Sequence, residues 1–506
     1  YKNLILNGQI RVRENLLEYG SEEDLLVFDE WQEEMDYLSS QLSLPVSERD
    51  PGLDSVRFLI NQYERELSKI SAEFDRFQKD QNIQASDIRT RLKQGEAAIE
   101  FVKYWDYIDS ANFYDALIVL PEQEYPIWIS LCKEDEIYER LDYEGQKKAD
   151  YVSRIYDLDR RGLSPAIKDQ KSIYNLIWQP LDSLLSGVDK IYFSPAGLLH
   201  KINISALPLT RDSTLGDRYQ LFQLSSTSKI IEKEKAKSKP SALIFSGIDY
   251  NYSENPEDST WIFSDTSTFN EEGFASHFRG SDIGSAPWQN LYYTSEEGEE
   301  IASILNENGL SCSHFQGQQA REEKIRDFGD QPGKSPLVIH LATHGYFFED
   351  DEDLSDSYKP SAYYNTDDPM FRSGLILAGA NGAWTGEVTV TEGQKDGILT
   401  AREISFLDLR GTELVVMSAC ETGLGRIKDM EGVYGLQRAF KLAGVRYLIM
   451  SLWQVPDYQS KDLMVTFYRY WLEDDLSIPD AFRQAQKDMK NKYRDPYFWA
   501  GFVLME

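Results

Sequence analysis

The sequence predicts an α/β protein whose mainly parallel sheet is flanked by helices, with a helical hairpin before it. Two short apolar runs, at 335–347 and 411–425, are rich in Val, Ile and Leu and end in glycine-containing turns, which is typical of buried strands in a parallel sheet. From Ser241 onwards, strand-like and helix-like patterns alternate, and this order predicts parallel strands with right-handed connections. Apolar residues at spacings of three and four before residue 85 predict amphipathic helices.

The helical hairpin is predicted over residues 10–85. Its apolar positions run from Phe28 to Leu42 and again from Val56 to Phe77, and prolines separate the two runs. We expect this arm to pack on the main body. A partner-docking surface is the alternative, because helical repeats could continue upstream of Tyr1. The chain begins inside a helical pattern, so we expect a fragment whose amino-terminal part is missing.

Short strand-like runs follow the hairpin from about Ala97. The runs AAIEFVKY, FYDALIVL and PIWISLC are rich in β-branched and aromatic residues, which predicts a meander or the first strands of the sheet. Helices are predicted over Glu134–Asp159 and Lys171–Leu185, and a strand that turns at Ser194–Gly197 comes next.

The remaining elements are predicted from the same patterns. In order they are strand SALIFSGIDY, helix Glu296–Asn308, strand SCSHFQG, helix Ala320–Phe328, the His344 strand, strand SGLILAGA, helix Ala401–Leu407, the Cys420 strand, a helix from Gly432 to Ala443, strand Val445–Trp453, helices Gln459–Leu472 and Pro479–Asn491, and strand PYFWAGFVLM. Long loops are predicted at 251–288 and 347–370. The second loop is dense in acidic residues; it either shapes substrate access or is disordered.

Composition and charge exclude several classes of function. The chain has 53 basic and 85 acidic residues, a net charge of −32, which argues against a nucleic-acid-binding surface. No apolar run approaches the roughly 18 residues of a membrane span. The three cysteines at 132, 312 and 420 form no disulfide framework, so a reducing cytoplasm is the expected compartment.

Cys420 and His344 are the candidate catalytic residues. Each follows a predicted buried strand, and chemistry in parallel sheets collects at the carboxyl ends of the strands, so the two side chains could face each other. Histidine can take a thiol proton and return it to a leaving amine near pH 7. The thiolate that results is the nucleophilic form of cysteine. Backbone amides of Gly345 and Cys420 could stabilise the oxyanion.

Other interpretations of these residues remain open. Cys420 could be a buried small hydrophobic residue, the usual fate of a free cysteine. Cys132 and Cys312 lie inside predicted strands, and we expect them to be structural. His340 and His344 are four positions apart on one predicted strand, or about 13 Å by the rise per residue, so a shared metal ion is not expected. We expect His340 to be buried and hydrogen-bonded.

Four motifs, in this order, resemble those of one family. HLATHGYF, VVMSACETGLG, EGVYGLQRAFKLAGVRYLIMSLWQVPD and DPYFWAGFVLM are similar to motifs of the CHAT family of caspase-like, separase-related cysteine peptidases, often carried behind tetratricopeptide repeats in bacteria. The resemblance covers nearly all of residues 90–506. It implies a caspase-type fold, with His344 as base, Cys420 as nucleophile and the amides of Gly345 and Cys420 as oxyanion-hole donors. No cofactor or metal is expected.

The resemblance also implies a division into three units. Residues 1–90 are expected to form the helical hairpin, an arm that could continue upstream helical repeats. Residues 91–235 are expected to form a first α/β subdomain of pseudo-caspase type. Residues 236–506 are expected to form the catalytic, caspase-like subdomain.

Asp457 and Trp453 are the candidate substrate-binding residues. In separase-like relatives, the acidic residue of a similar LW-x-V-x-D run receives a basic residue before the cut bond, and Asp457 in LWQVPD matches it. Trp453 would form a wall of this S1 pocket. A buried carboxylate needs a cationic partner, and the acidic loop at 349–356 would favour basic substrates. The alternative is that Asp457 caps a helix beginning near Gln459.

The leading hypothesis is a cytoplasmic cysteine endopeptidase that cleaves a specific protein partner through an acyl-enzyme, and that a partner or an upstream domain activates. The resemblance implies a role in bacterial defence or signalling. Its implied partners are a gasdermin-like or other defence effector as substrate, and an activating protein or CRISPR-type complex. Direct binding to nucleic acid or membrane is not expected. The alternatives are a catalytically silent scaffold of the same fold and a dyad enzyme that acts on a non-peptide substrate.

Overall fold

A computed structural model describes most of the chain after residue 82. The described residues are 83–141, 172–210, 212–231, 240–253, 287–329, 334–348, 370–385, 396–419, 426–428 and 432–506, with scattered positions between 21 and 66 and at 152, 155 and 156. Cys420 and the acidic loop at 349–356 lie outside them. Within the described part, no helix is long and apolar enough to cross a membrane, and no group of three or more His, Cys, Asp or Glu residues could hold a metal ion.

The described strands form one large and two small sheets. They are β1 (Glu96–Asp106), β2 (Ala111–Val119), β3 (Ile127–Lys133), β4 (Lys190–Ser194), β5 (Gln220–Gln223), β6 (Ser241–Ile248), β7 (Ser311–Gly317), β8 (Val338–Leu341), β9 (His344–Phe347), β10 (Ser373–Ile376), β11 (Ile398–Thr400), β12 (Leu414–Met417), β13 (Arg426–Lys428), β14 (Gly432–Tyr434), β15 (Tyr447–Ser451) and β16 (Phe502–Met505).

The described α-helices lie before and between these strands along the chain. They are α1 (Ala85–Arg91), α2 (Glu134–Leu141), α3 (Ile173–Ile177), α4 (Leu215–Arg218), α5 (Thr294–Glu307), α6 (Glu322–Gly329), α7 (Ala380–Thr385), α8 (Ala401–Ile404), α9 (Leu436–Ala443), α10 (Asp457–Leu472) and α11 (Ile478–Lys492). Short 3-10 helices lie at Gln179–Leu181, Gly197–Lys201, Ile204–Ala206, Thr227–Ile231 and Pro496–Phe498. α5 packs on β6, and α10 packs on both α5 and α11.

The large sheet has eleven strands in the spatial order β3-β2-β1-β4-β5-β16-β15-β12-β8-β6-β7. β1, β2 and β3 form an antiparallel meander, as the alternating runs predict. Of the other neighbouring pairs in this described sheet, only β15 and β16 are antiparallel. The prediction of an α/β fold with a mainly parallel sheet flanked by helices is confirmed.

Three neighbouring strands of this sheet are buried along their whole length. Every residue of β8, β12 and β15 is buried. Strands covered on both faces need apolar side chains on both, which explains why these runs are continuous rather than alternating.

The strand predicted to end at His344 is in fact two strands. β8 ends three residues earlier, and β9 begins at His344 in a separate antiparallel sheet with β10 and β11. Thr343 holds the chain at this change of sheet, because its hydroxyl donates to the Ile376 carbonyl and lies 3.2 Å from the Tyr250 hydroxyl. His340 and His344 therefore do not share a strand.

Several further elements differ from their predicted forms, among them the helix predicted over Lys171–Leu185, which is α3 followed by a 3-10 turn at Gln179–Leu181. Residues 432–434, predicted to open a helix, form β14 paired with β13, and α9 begins only at Leu436; glycines at 432 and 435 disfavour a helix there. The strand predicted for PYFWAGFVLM is a 3-10 turn followed by β16. α10 begins at Asp457, two residues before the predicted start.

The amino-terminal arm packs against segments that flank β10 and α8. Described positions between 23 and 38 and between 53 and 66 are helical. Trp31 meets the Phe406 ring edge-on, with 4.9 Å between ring centroids. Leu38 and Ile60 share an apolar cluster with Phe371. The arm thus contacts the main body, and the unit boundaries near 90 and 235 remain predictions.

A buried polar cluster joins α5 to the large sheet. Nε2 of His340 lies 3.0 Å from Oε1 of Glu297, and its Nδ1 lies 3.3 Å from the Tyr468 hydroxyl. This confirms that His340 is buried and hydrogen-bonded. Beside it, the Ser246 hydroxyl lies 2.7 Å from Nε2 of His314, whose pKa burial lowers below its ordinary value.

We predict that Gly298→Ala destabilises the fold, although alanine is the better helix former. A Cβ at position 298 would overlap Oγ of Ser246 and lie 2.6 Å from Nε2 of His314. Overpacking of this kind costs about 1–3 kcal/mol, against a gain of ~1 kcal/mol from helix propensity. The free energy of unfolding in urea should therefore fall.

The control for this prediction is Ser303→Ala, at an exposed position of the same helix. Its free energy of unfolding should change by no more than about 0.5 kcal/mol. A Gly298→Ala protein as stable as the wild type would contradict the close packing of α5 on β6.

Candidate active site

Parallel strands bring several chain segments to one edge of the large sheet. In the β8–β12 pair, Leu341 lies opposite Met417, and His344 and Cys420 each follow three residues later in the chain. β6 and β15 flank this pair and run in the same direction. The segments after all four strands therefore leave at the edge where parallel sheets collect their chemistry.

His344 is held between two aromatic rings. Its side chain is only 2% exposed. The centroid of its ring lies 5.1 Å from that of Tyr250 and 5.0 Å from that of Trp288. Pairing of His344 with Ile376 fixes its main chain in β9. The imidazole therefore has little room to change its orientation.

One hydrogen bond of His344 determines which ring nitrogen carries a proton. Nε2 lies 2.7 Å from the main-chain carbonyl oxygen of Gln289. A carbonyl oxygen can only accept, so Nε2 must be the donor. In the neutral ring the lone pair is then on Nδ1, and Nδ1 is the nitrogen that can take a thiol proton.

The main-chain N–H of Gly345 points away from the sheet that contains it. The Phe348 N–H donates to the Arg372 carbonyl over 2.9 Å, and this hydrogen-bonded pair sets the alternation along β9 and β10. Gly345, opposite Leu375, falls in a non-hydrogen-bonded pair, so its N–H is turned away from β10. β9 lies at the edge of this described sheet, so the Gly345 N–H is directed out of the sheet. A donor in an oxyanion hole needs this direction.

The main chain immediately before Cys420 is described, although Cys420 itself is not. Ser418 and Ala419 are buried, and the Ser451 hydroxyl donates to the Ala419 carbonyl over 2.6 Å. Because Ser451 is the last residue of β15, this bond joins the end of the β12 segment to the neighbouring strand. The chain thus enters Cys420 from a fixed position on the edge that carries His344.

The two described cysteines have the properties of structural residues. Burial raises the pKa of the Cys132 thiol, in β3, to about 12. Burial also raises the pKa of the Cys312 thiol, in β7, to about 11. A raised pKa disfavours the thiolate that a nucleophile needs, which agrees with the expected structural role of both.

The carboxylate of Asp457 is buried at the start of α10. It is 2% exposed, and Oδ2 accepts a 2.7 Å hydrogen bond from the main-chain N–H of Tyr293. The alternative that Asp457 caps a helix beginning near Gln459 is wrong, because α10 begins at Asp457 and its N-cap is Pro456. Asp457 instead joins the segment before α5 to the first turn of α10, where a negative charge is also favourable.

Trp453, four residues before Asp457, packs into the core. It is 2% exposed, and its indole N–H donates to the Tyr497 carbonyl over 3.1 Å. Its ring lies 6.0 Å from that of Tyr156, and a Cβ at Gly501 would lie 3.1 Å from its Nε1. The indole is therefore fixed in place, and its role as a wall of a substrate pocket remains a prediction.

Sequence patterns missed the residues that hold His344. Trp288 and Gln289 lie at or beside the end of a segment interpreted as a long loop, and Asn381 in α7 binds the Trp288 main chain. Tyr250 could have been identified from the sequence, because it follows the buried strand β6 by two residues and so lies at the same sheet edge as His344. Gln289 could not have been identified in this way, since its contact with His344 is made by a main-chain carbonyl that any residue would supply.

Comparison with known proteins finds relatives that match a short part of the chain. Tetratricopeptide repeat protein 28 of Mus musculus is 34% identical over 111 residues, which are 21% of this chain and 4% of that protein. The Homo sapiens protein of the same name is 33% identical over 110 residues, with the same two coverages. The chain thus spans only a small part of the length of these relatives.

Two solved structures give distant matches. A chain of the Saccharomyces cerevisiae separase–securin complex has a TM-score of 0.44 at 9% identity, with 87% of this chain and 31% of that chain covered. Gingipain R, an Arg-specific cysteine proteinase, has a TM-score of 0.38 at 8% identity, with 68% of each chain covered. Likeness at these TM-scores is too low to assign an activity.

A family profile covers most of the chain. The profile described as CHAT domain matches residues 168–506. This range includes the strands from β4 to β16, together with His344, Cys420 and Asp457. The chain belongs to the CHAT domain family.

Proposed function

We propose that this chain is a cysteine endopeptidase in which His344 is the base and Cys420 the nucleophile. The observation that carries the proposal is the register of β8 and β12, in which Leu341 pairs with Met417 and each candidate residue follows three positions later. Membership of the CHAT domain family, whose resemblance implies the same two residues, supports it as well.

The proposed reaction begins when Nδ1 of His344 takes the proton of the Cys420 thiol. The thiolate sulfur then attacks the carbonyl carbon of the scissile peptide, and an electron pair moves onto the carbonyl oxygen. The N–H groups of Gly345 and Cys420 stabilise this oxyanion. As the C–N bond breaks, His344 returns the proton to the leaving amine, and water hydrolyses the thioester that remains.

The geometry of His344 supports its role as base. An unperturbed cysteine is only a few per cent thiolate at neutral pH, and a positioned base contributes about 10²–10⁴-fold to the rate. The hydrogen bond from Nε2 to the Gln289 carbonyl leaves Nδ1 as the basic nitrogen, and the flanking rings keep the imidazole in one orientation.

The proposed specificity is for Lys or Arg immediately before the cut bond. Asp457 supplies a buried carboxylate close in sequence to the end of β15, and a buried carboxylate is most stable with a cationic partner. Trp453 is the proposed wall of this pocket. The net charge of −32 and the acidic loop at 349–356 would favour the approach of basic substrates.

A protein is the proposed substrate, and a second protein or an upstream helical domain is the proposed activator. The family resemblance supports a cytoplasmic role in bacterial defence or signalling, with a gasdermin-like or other defence effector as substrate and a CRISPR-type complex among the possible activators. The arm that contacts Phe406 and Phe371 is the part of the chain through which an upstream domain would act.

We predict that Cys420→Ala abolishes peptide cleavage and that His344→Gln lowers its rate by about 10²–10⁴-fold, the share of a general base. The measurement is cleavage of a diverse peptide library by the purified chain, with and without cell lysate as a source of activators, and with every cut site identified by mass spectrometry.

Cys312→Ala is the matched control and should retain every cut, because the Cys312 thiol has a raised pKa in β7. Identical cut sites from the wild type and from Cys420→Ala under every condition would contradict the proposal. That outcome would favour the silent scaffold.

We also predict that Asp457→Asn lowers kcat/KM for peptides with Lys or Arg before the cut bond by about thirtyfold or more, because loss of one partner of a desolvated charge pair costs about 2 kcal/mol at least. Matched peptides with Leu at that position should be affected less. Asp462→Asn, farther along the same helix, where the carboxylate pairs with Lys492, is the control. An unchanged preference in Asp457→Asn would remove this residue from the pocket.

A further inference from the structure

Asn381 is a buried residue bonded to both neighbours of His344. It is 5% exposed, and its Oδ1 accepts a 2.7 Å hydrogen bond from the Trp288 N–H. Its Nδ2 donates to the Trp288 carbonyl over 3.1 Å. Its own main-chain N–H donates to the Tyr250 carbonyl over 3.0 Å. Asn381 therefore binds both residues whose rings flank the imidazole, Trp288 through its side chain and Tyr250 through its main-chain N–H.

The bonds to Trp288 fix the position of the next carbonyl along the chain. Both the N–H and the C=O of Trp288 are held by Asn381, so the two peptide groups that meet at Trp288 have little freedom. The next peptide group along the chain carries the Gln289 carbonyl, the acceptor 2.7 Å from Nε2 of His344. Asn381 thus acts on the imidazole through two intervening residues, Trp288 and Gln289.

Only an amide side chain can make all of these contacts. The site needs an acceptor for the Trp288 N–H and donors for two acceptors, the Trp288 carbonyl and Oδ1 of Asn251, which is 2.8 Å away. A hydroxyl has a single hydrogen, and an ionised carboxylate has none. Hydrogen bonding, rather than side-chain volume, therefore explains an asparagine at this position.

The segment 287–293 is also held at its other end. The Tyr293 N–H donates to Asp457, and the Thr294 hydroxyl donates to the Leu291 carbonyl over 3.1 Å. Gln289 lies between the two anchored ends. The anchors at both ends restrict how far its carbonyl can move relative to His344.

We propose that Asn381 is a positioning residue that keeps Nε2 of His344 protonated and its Nδ1 available to Cys420, through Trp288 and Gln289. This inference rests on the proposed function of the dyad. Asn381 is linked to the imidazole through main-chain groups and side-chain rings, so its loss should slow proton transfer without weakening substrate binding.

The test is Asn381→Leu, which has nearly the same shape and lacks the polar atoms. We expect kcat for a cleaved peptide to fall by about 10–100-fold, the size of effect that loss of an outer hydrogen-bond partner has for a metal-bound histidine, and KM to stay within about twofold. Alkylation of Cys420 by iodoacetamide at pH 7, measured by mass spectrometry against Cys312 in the same protein, should slow by a similar factor.

The control for loss of an amide hydrogen bond away from the site is Asn308→Leu, at an exposed position. The Nδ2 of Asn308 also donates to a main-chain carbonyl, that of Ile304, over 2.8 Å, but it lies before β7 at the opposite edge of the sheet. A merely structural effect would lower the thermal stability of Asn381→Leu and leave its alkylation rate like those of the wild type and of Asn308→Leu. Wild-type kcat and alkylation in Asn381→Leu would overturn the inference.

A second measurement reports the protonation of His344 directly, and Asn381→Asp, which keeps the acceptor for the Trp288 N–H but lacks the two donors when ionised, takes the place of Asn381→Leu if that variant does not fold. Nitrogen-15 NMR of the chain labelled at its five histidines, with His344→Gln to identify the signal, reports the protonation of each ring nitrogen. We expect a protonated Nε2 on His344 in the wild type and a smaller protonated fraction in Asn381→Leu. An unprotonated Nε2 in the wild type at neutral pH would overturn the inference.

Failure of the proposed function would look different. Peptide cleavage that persists in Cys420→Ala would show that the dyad is not the catalyst. The NMR and alkylation comparisons do not depend on peptide cleavage, so they would still decide whether Asn381 positions His344.

Discussion

Four residue pairs between β8 and β12 determine where the chain leaves the sheet on its way to His344 and, after the second strand, towards Cys420. Both strands are buried throughout, and strands covered on both faces have no polar alternation to set their register. The polar exception is His340, whose ring meets Glu297 and Tyr468. A slip of one residue would move the chain by about 3.3 Å and leave Glu297 buried without this partner, which is costly. We infer that this buried polar contact protects the register on which the site depends.

The change of sheet after β8 accounts for two features of the site together. It places His344 in a hydrogen-bonded pair of the small antiparallel sheet, and it turns the N–H of the next residue, Gly345, away from that sheet. The imidazole is then oriented by the Gln289 carbonyl, by two aromatic rings and by Asn381. All of these contacts rely on main-chain groups or on buried side chains, so they are preformed before any substrate binds.

Much of the fold could be predicted from the sequence because its central strands are short, apolar and bounded by turns. The same patterns failed where tertiary contacts decide the structure. No glycine or proline marks the break between β8 and β9. The break is instead stabilised by the Thr343 hydroxyl, which donates a hydrogen bond to the Ile376 carbonyl. Cys420 and His344 could be proposed because reactive side chains after buried strands are visible in a sequence. The carbonyl of Gln289 could not, since a backbone contact leaves no mark on residue identity.

A crystal structure of the chain with a bound peptide aldehyde ending in lysine would show whether His344 and Cys420 form a dyad. We expect a thiohemiacetal on Sγ of Cys420, with its oxygen beside the N–H of Gly345 and with Nδ1 of His344 about 3–4 Å from the sulfur, within reach for proton transfer. An aldehyde that does not react with Cys420, or a Cys420 side chain turned into the core away from His344, would contradict the proposed active site.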